Sequence, residues 1–129
     1  MRLAIVLSFF TFSFAVTTFA QDFFPADVFQ IRYASNLNKG DSFVNITNSG
    51  SFLGENTCAN VYTFDPSEEM VSCCSCLVTP NALVSLSVQG DPISNTLSPS
   101  TPTSVVIELV ATAVVDNGCN ASDFHRAVV

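Results

Sequence analysis

The 129-residue sequence predicts an all-β domain, an antiparallel sandwich or partial barrel, behind a removable export signal. Three observations carry this expectation. Short apolar/polar alternations recur about every 10–20 residues, with Gly, Pro, Asn or Asp between them. The longest strand candidate, SVVIELVATAVV, holds seven β-branched residues in twelve, which disfavours a helix. All five cysteines follow the export signal, so they reach a compartment where disulfides persist.

The chain opens with MRLAIVLSFFTFSFAVTTFA. Arg2 precedes an uncharged apolar run, and Thr18-Phe19-Ala20 supplies the small residues a signal peptidase inspects. The stretch from Leu3 to Ala20 is 18 residues, the lower limit for crossing a bilayer. Ser and Thr interrupt it and no basic cluster follows, so cleavage after residue 20 is expected, leaving residues 21–129 as one domain.

The first strand is expected over Val28–Ala34, with Phe29, Ile31 and Tyr33 on its apolar, core-facing side. The turn SNLNKGDS follows, and a second strand over Phe43–Thr47 places Val44 and Ile46 together. After NSGSFLGEN, a third strand covers Asn60–Phe64. DPSEEM then has the layout of a capping box, Asp65 with Glu68 three residues on, and predicts one helical turn near residues 66–71. Val71–Cys76, if extended, turns Cys74 and Cys76 to one side and Cys73 to the other. Ala82–Val88 alternates as a strand, ISNTL is a short strand, and SPSTPTS is an exposed loop. Ser104–Val115 is the last strand, apolar on both faces, with Glu108 as its single charge.

The formal charge is −7, and −8 once Arg2 is removed. Such an acidic balance repels phosphate backbones and anionic lipid, so neither nucleic acid nor a membrane surface is an expected partner. No membrane span is expected after signal removal.

Cys58, Cys73, Cys74, Cys76 and Cys119 are the disulfide candidates, and five is odd, so at least one thiol is left over. Choosing the unpaired thiol and pairing the rest gives 5 × 3 = 15 two-disulfide patterns, and the sequence does not select among them; Cys58 joined to any of the three clustered cysteines would close a loop of about 15–18 residues worth roughly 3 kcal/mol. Cys119 could tie the exit of the last strand to the same cluster. Two other readings stay open. The CCSC cluster is poorly spaced for zinc, but soft thiolates suit copper(I), and His125 lies six residues after Cys119. Cys73 and Cys76 also form a C-x-x-C, a redox motif normally at a helix start rather than in a strand.

No GxSxG, HExxH, GxGxxG or phosphate-cradling loop is present, so no catalytic residue is assigned and no enzyme, metal or cofactor is expected. Glu68 and Glu69 read as first-turn residues and Glu108 as a solvated or paired charge. Sequons stand at Asn45 and Asn120.

The run ANVYTFDPSEEMVSCCSCLVTPNALVSLSV…ISNTL resembles a group of uncharacterised secreted bacterial proteins with the core NVYTFDPxE…SCCSC…VTPN, over roughly Arg32 to Thr112. The resemblance implies export and a shared core, and brings no catalytic residue. It also implies further cysteines beyond the segment aligned with Cys119, so a C-terminus cut short is expected here. The function expected is that of a structural or interaction β-domain, secreted or periplasmic, whose partner is a protein or other component of the cell envelope or surface. The alternative is a small exported thiol-redox or metal-handling protein using Cys73, Cys74 and Cys76.

Overall fold

The computed structural model describes residues 28–50 and 54–122. The expected export signal and His125 lie outside them. Among the described residues six strands form and no helix: β1 (Phe29–Ala34), β2 (Phe43–Thr47), β3 (Thr57–Phe64), β4 (Met70–Val78), β5 (Leu83–Ser87) and β6 (Val105–Ala113). They make a four-stranded sheet of order β1-β6-β3-β4 and a two-stranded sheet of β2 and β5, with every pairing antiparallel. The chain therefore crosses between layers three times after β2, and β6 enters last between β1 and β3. The result is sandwich-like and not closed into a barrel, because β1 and β4 remain edges.

The core lies between the sheets. Val44 with Ile46 from β2, and Leu86 with Val88 at β5, meet Val61, Val105, Ile107 and Leu109 of the larger sheet. Ala34, Leu37 and Ile93 close its margins. Alternation in β2 and β5 turns these apolar residues to one side, as the pleat requires.

Alternation in β1 is also present, but its orientation reverses the expectation. Phe29, Ile31 and Tyr33 are 52%, 54% and 69% exposed, while Ala34 is buried. Register explains it. Ala34 pairs with Val105 and Arg32 with Ile107, and both β6 residues face the core, so Phe29, Ile31 and Tyr33 must face out.

The helical turn expected near residues 66–71 is a β-hairpin loop instead. Asp65 Oδ1 accepts from Ser67 N at 2.8 Å and Glu69 N at 3.0 Å. Glu69 O takes Asp65 N, and Glu68 sits at φ 65°, outside helical space. An Asp side chain serves a hairpin turn as readily as a helix start, and β4 begins at Met70. ISNTL, expected as a strand, is turn and bend; Ile93 N bonds Val88 O and Leu97 N bonds Val71 O, which wraps this loop onto the start of β4.

Two polar clamps fix the layers. Asn48, after β2, donates from Nδ2 to Val78 O at 3.0 Å and to Glu55 O at 2.9 Å, and accepts from Gly50 N at 3.0 Å. Gly50 has φ 68°, and a Cβ there would come within 3.3 Å of Pro80 Cβ, so glycine is required. Asp41 accepts from Ser87 Oγ at 2.5 Å, Gln89 N at 2.9 Å and Ser42 N at 2.8 Å. The Ser87 bond first, then that from Gln89, holds the Asp41 carboxyl below the usual carboxylate range.

Thr63 is fully buried on the core side of β3, and its hydroxyl finds no hydrogen-bond partner among the described residues. A buried, unpaired hydroxyl costs about 1–3 kcal/mol. Thr63→Val keeps the shape and removes the cost. It is expected to raise unfolding stability by about 1 kcal/mol in a urea titration; a loss of stability would show that the hydroxyl is satisfied.

Candidate functional site

Two features stand out: the outward face of the large sheet, and the three free thiols of β4. The outward face is built in rows across the strands. Register aligns Tyr33, Val106, Phe64 and Met70; then Ile31, Glu108, Tyr62 and Cys73; then Phe29, Val110, Asn60 and Ser75. Thr112, Cys58 and Leu77 form the last row.

One end of this face is roofed by the segment after β6. Asp116 and Asn117 have φ 51° and 61°, and Val115 and Gly118 exchange hydrogen bonds of 3.2 and 2.9 Å. Positive φ at both central residues makes the hairpin turn that reverses a chain most tightly. It carries Cys119 back to Cys58, and the two are bonded. Tyr62 Oη donates to Ala121 O at 2.6 Å, holding the segment down further. Beneath it Asn60 and Thr112 are buried and linked, Nδ2 to Oγ1 at 3.4 Å, and Ser75 Oγ donates to Asn60 Oδ1 at 2.5 Å. The other end stays open, with Ile31, Tyr33 and Met70 exposed around half-buried Val106, Phe64 and Glu108, and Phe29 is exposed at the β1 edge in the row of Asn60.

The structure selects one of the pairings the sequence leaves open. Cys58 bonds Cys119 rather than a member of the cluster, and Cys73, Cys74 and Cys76 are all free. Pairing with β3 explains the outcome. Cys58 stands opposite Leu77 at the far end of β4, while Cys73, Cys74 and Cys76 face Tyr62, Val61 and Ala59. The buried Cys58–Cys119 bond accords with an oxidising environment.

As the alternation predicts, β4 splits its thiols. Cys73 is exposed on the outward face, and Cys74 and Cys76 are half-buried on the inner one. Burial pushes the Cys74 thiol up, and nearby Cys76, Asp91 and Cys73 push it further. Burial raises Cys76 as well, and its Sγ lies 3.6 Å from Ala59 O. Both therefore hold their protons at neutral pH.

The other residues singled out in the sequence do not converge. Glu68 and Glu69 are exposed in the β3–β4 loop, and Glu108 is half-buried mid-sheet. Asn45 and Asn120 are exposed. Among the described residues no three His, Cys, Asp or Glu side chains gather to hold a metal, and no helix is long and apolar enough to cross a membrane. A cleft of about 130 Å³ between β1 and β2, lined by Arg32, Ser42, Asn45 and Ile107, is smaller than an ordinary small-molecule pocket of roughly 300–1,000 Å³.

The outward aromatic face is the feature that sequence reasoning assigned to the wrong side. Alternation alone has no sign. The Asp-Asn-Gly turn before Cys119 was a readable signal that the chain reverses there. Compared with protein-family models, curated proteins and solved structures, the chain matches none.

Proposed function

We propose that the chain is an exported, disulfide-braced β-domain, secreted or periplasmic, that docks a protein of the cell envelope or surface and performs no catalysis. The exposed end of the outward face supports this. Phe29, Ile31 and Tyr33 line the edge strand β1, and the row through Val106 and Phe64 joins Tyr33 to Met70 on the opposite edge, an exposed apolar surface of the kind soluble chains seldom leave open. Glu108 defines the partner. It sits half-buried in the middle row and makes no ion pair among the described residues. Covering it with a purely apolar surface would strand a charge, at a cost of several kcal/mol. The partner therefore presents an apolar surface with a Lys or Arg opposite Glu108, and the overall charge of −7 attracts such a surface. A second copy fits badly, because a two-fold contact brings Glu108 toward Glu108 with no cation on this face among the described residues.

Site-specific photo-crosslinking in the exporting cell tests this. A crosslinker at Tyr33 is expected to give one heterologous adduct, absent when the crosslinker replaces exposed Asn45 and lost on Glu108→Arg in a folded variant. No Tyr33 adduct, an adduct of twice the chain mass, or one indifferent to charge reversal would overturn the proposal.

A further inference from the structure

We propose that Cys74 and Cys76 form a two-coordinate thiolate site for a soft monovalent cation, copper(I) or silver(I), and that Cys73 takes no part in it. The proposal does not rest on the docking reading, since these two thiols face away from that surface.

Geometry separates the three cysteines. Cys74 and Cys76 lie two residues apart on one strand, opposite Val61 and Ala59, so their Cβ atoms point the same way about 6.7 Å apart. A disulfide needs Cβ atoms about 3.8 Å apart. The pair cannot close on itself without breaking the β3–β4 ladder. This accounts for two free thiols beside an oxidised Cys58–Cys119 bond. A linear thiolate–metal–thiolate bridge is wider. At roughly 2.3 Å per metal–sulfur bond its sulfurs stand about 4.6 Å apart, so each has only to lean inward by roughly 1 Å. A strand's C-x-C is thus too wide for a disulfide and suited to a metal bridge. Cys73, on the opposite face, cannot reach the same ion.

The surroundings select the ion. Cys74 packs against the core cluster, Cys76 stands beside Ala59 and then Ala111, the smallest side chains in their row, and among the described residues no strand pairs with the outer edge of β4. Zinc sites want four ligands, and no third His, Cys, Asp or Glu joins the pair among the described residues. Calcium and magnesium want oxygen cages. Two soft sulfurs with nothing else suit a monovalent soft ion. Asp91 lies near enough to Cys74 to oppose a bare thiolate, and the same field favours a cation there.

Binding is a ligand exchange with no electron transfer. Each Sγ–H bond breaks, each sulfur donates its electron pair to the metal, and two protons leave: M⁺ plus two thiols gives a bis-thiolate of charge −1 and two H⁺.

The test presents copper(I), anaerobically and as its bicinchoninate complex, to the disulfide-intact protein. Wild type and Cys73→Ser are expected to withdraw one copper(I) per chain and release two protons per metal. Cys74→Ser and Cys76→Ser are expected to weaken binding at least 100-fold, about 2.7 kcal/mol or more. Circular dichroism checks that each variant folds, and alanine replaces serine at any position where it does not. Equal loss in Cys73→Ser, or binding retained in Cys74→Ser or in Cys76→Ser, would overturn the assignment.

Discussion

Replacing Cys58 and Cys119 together by alanine is expected to cost about 4 kcal/mol of unfolding stability, the chain-entropy value for a loop this long. The bond spans 61 residues and encloses β3, β4, β5 and β6, four of the six strands. Without it, the unfolded chain regains the freedom of that whole loop. The native state loses the anchor of the segment that shields Asn60 and Thr112. At about 4–8 °C per kcal/mol for a domain near 100 residues, the melting temperature should fall by about 20 °C. Two controls isolate the bond. Reductant should lower the wild-type midpoint to that of the double variant, and should leave the double variant unmoved. A drop of less than about 5 °C would mean that the strand ladders alone constrain this loop.

Ile107→Ala is expected to destabilise by about 3–4 kcal/mol, through lost transfer free energy and the cavity left behind. Ile107 is fully buried in β6, between Thr63 on β3 and Arg32 on β1, and belongs to the cluster facing β2 and β5. Its strand is hydrogen-bonded on both sides, so the backbone cannot close around the void. Val106→Ala, one residue away but half-buried on the outward face, is expected to cost less than half as much. Urea midpoints compare the two at a common slope. Equal losses would mean that the outward face is as well packed as the core.

Much of the architecture was legible in the sequence because antiparallel strands with one wet face alternate. Phe43–Thr47 matched to the residue, and β3, β5 and β6 to within a few positions. What alternation lacks is polarity. Phe29-Gln30-Ile31-Arg32-Tyr33 states that β1 has an apolar side without stating that the side looks outward. That is set by pairing with β6, whose own faces are both apolar, and the second sheet has only two strands to cover the first. DPSEE failed for a related reason. Asp65 satisfies amides two and four residues ahead in a hairpin much as it would at a helix start, and only the approach of β4 to β3 decides between them. The cysteines were placed on their faces correctly, since face follows from parity. Their partners were not, since partnership follows from strand order and from the tight reversal at Asp116-Asn117.

The late insertion of β6 has a bearing on how this molecule meets proteases. The exposed stretch Pro99-Ser100-Thr101 lies between β5 and β6, inside the span bridged by Cys58 and Cys119. Exposed polar loops are where proteases cut first. A cut there yields two fragments that stay one covalent molecule, with the C-terminal piece still threaded as the strand between β1 and β3. Such a nick leaves the outward face assembled, and the damage shows on a gel only after reduction.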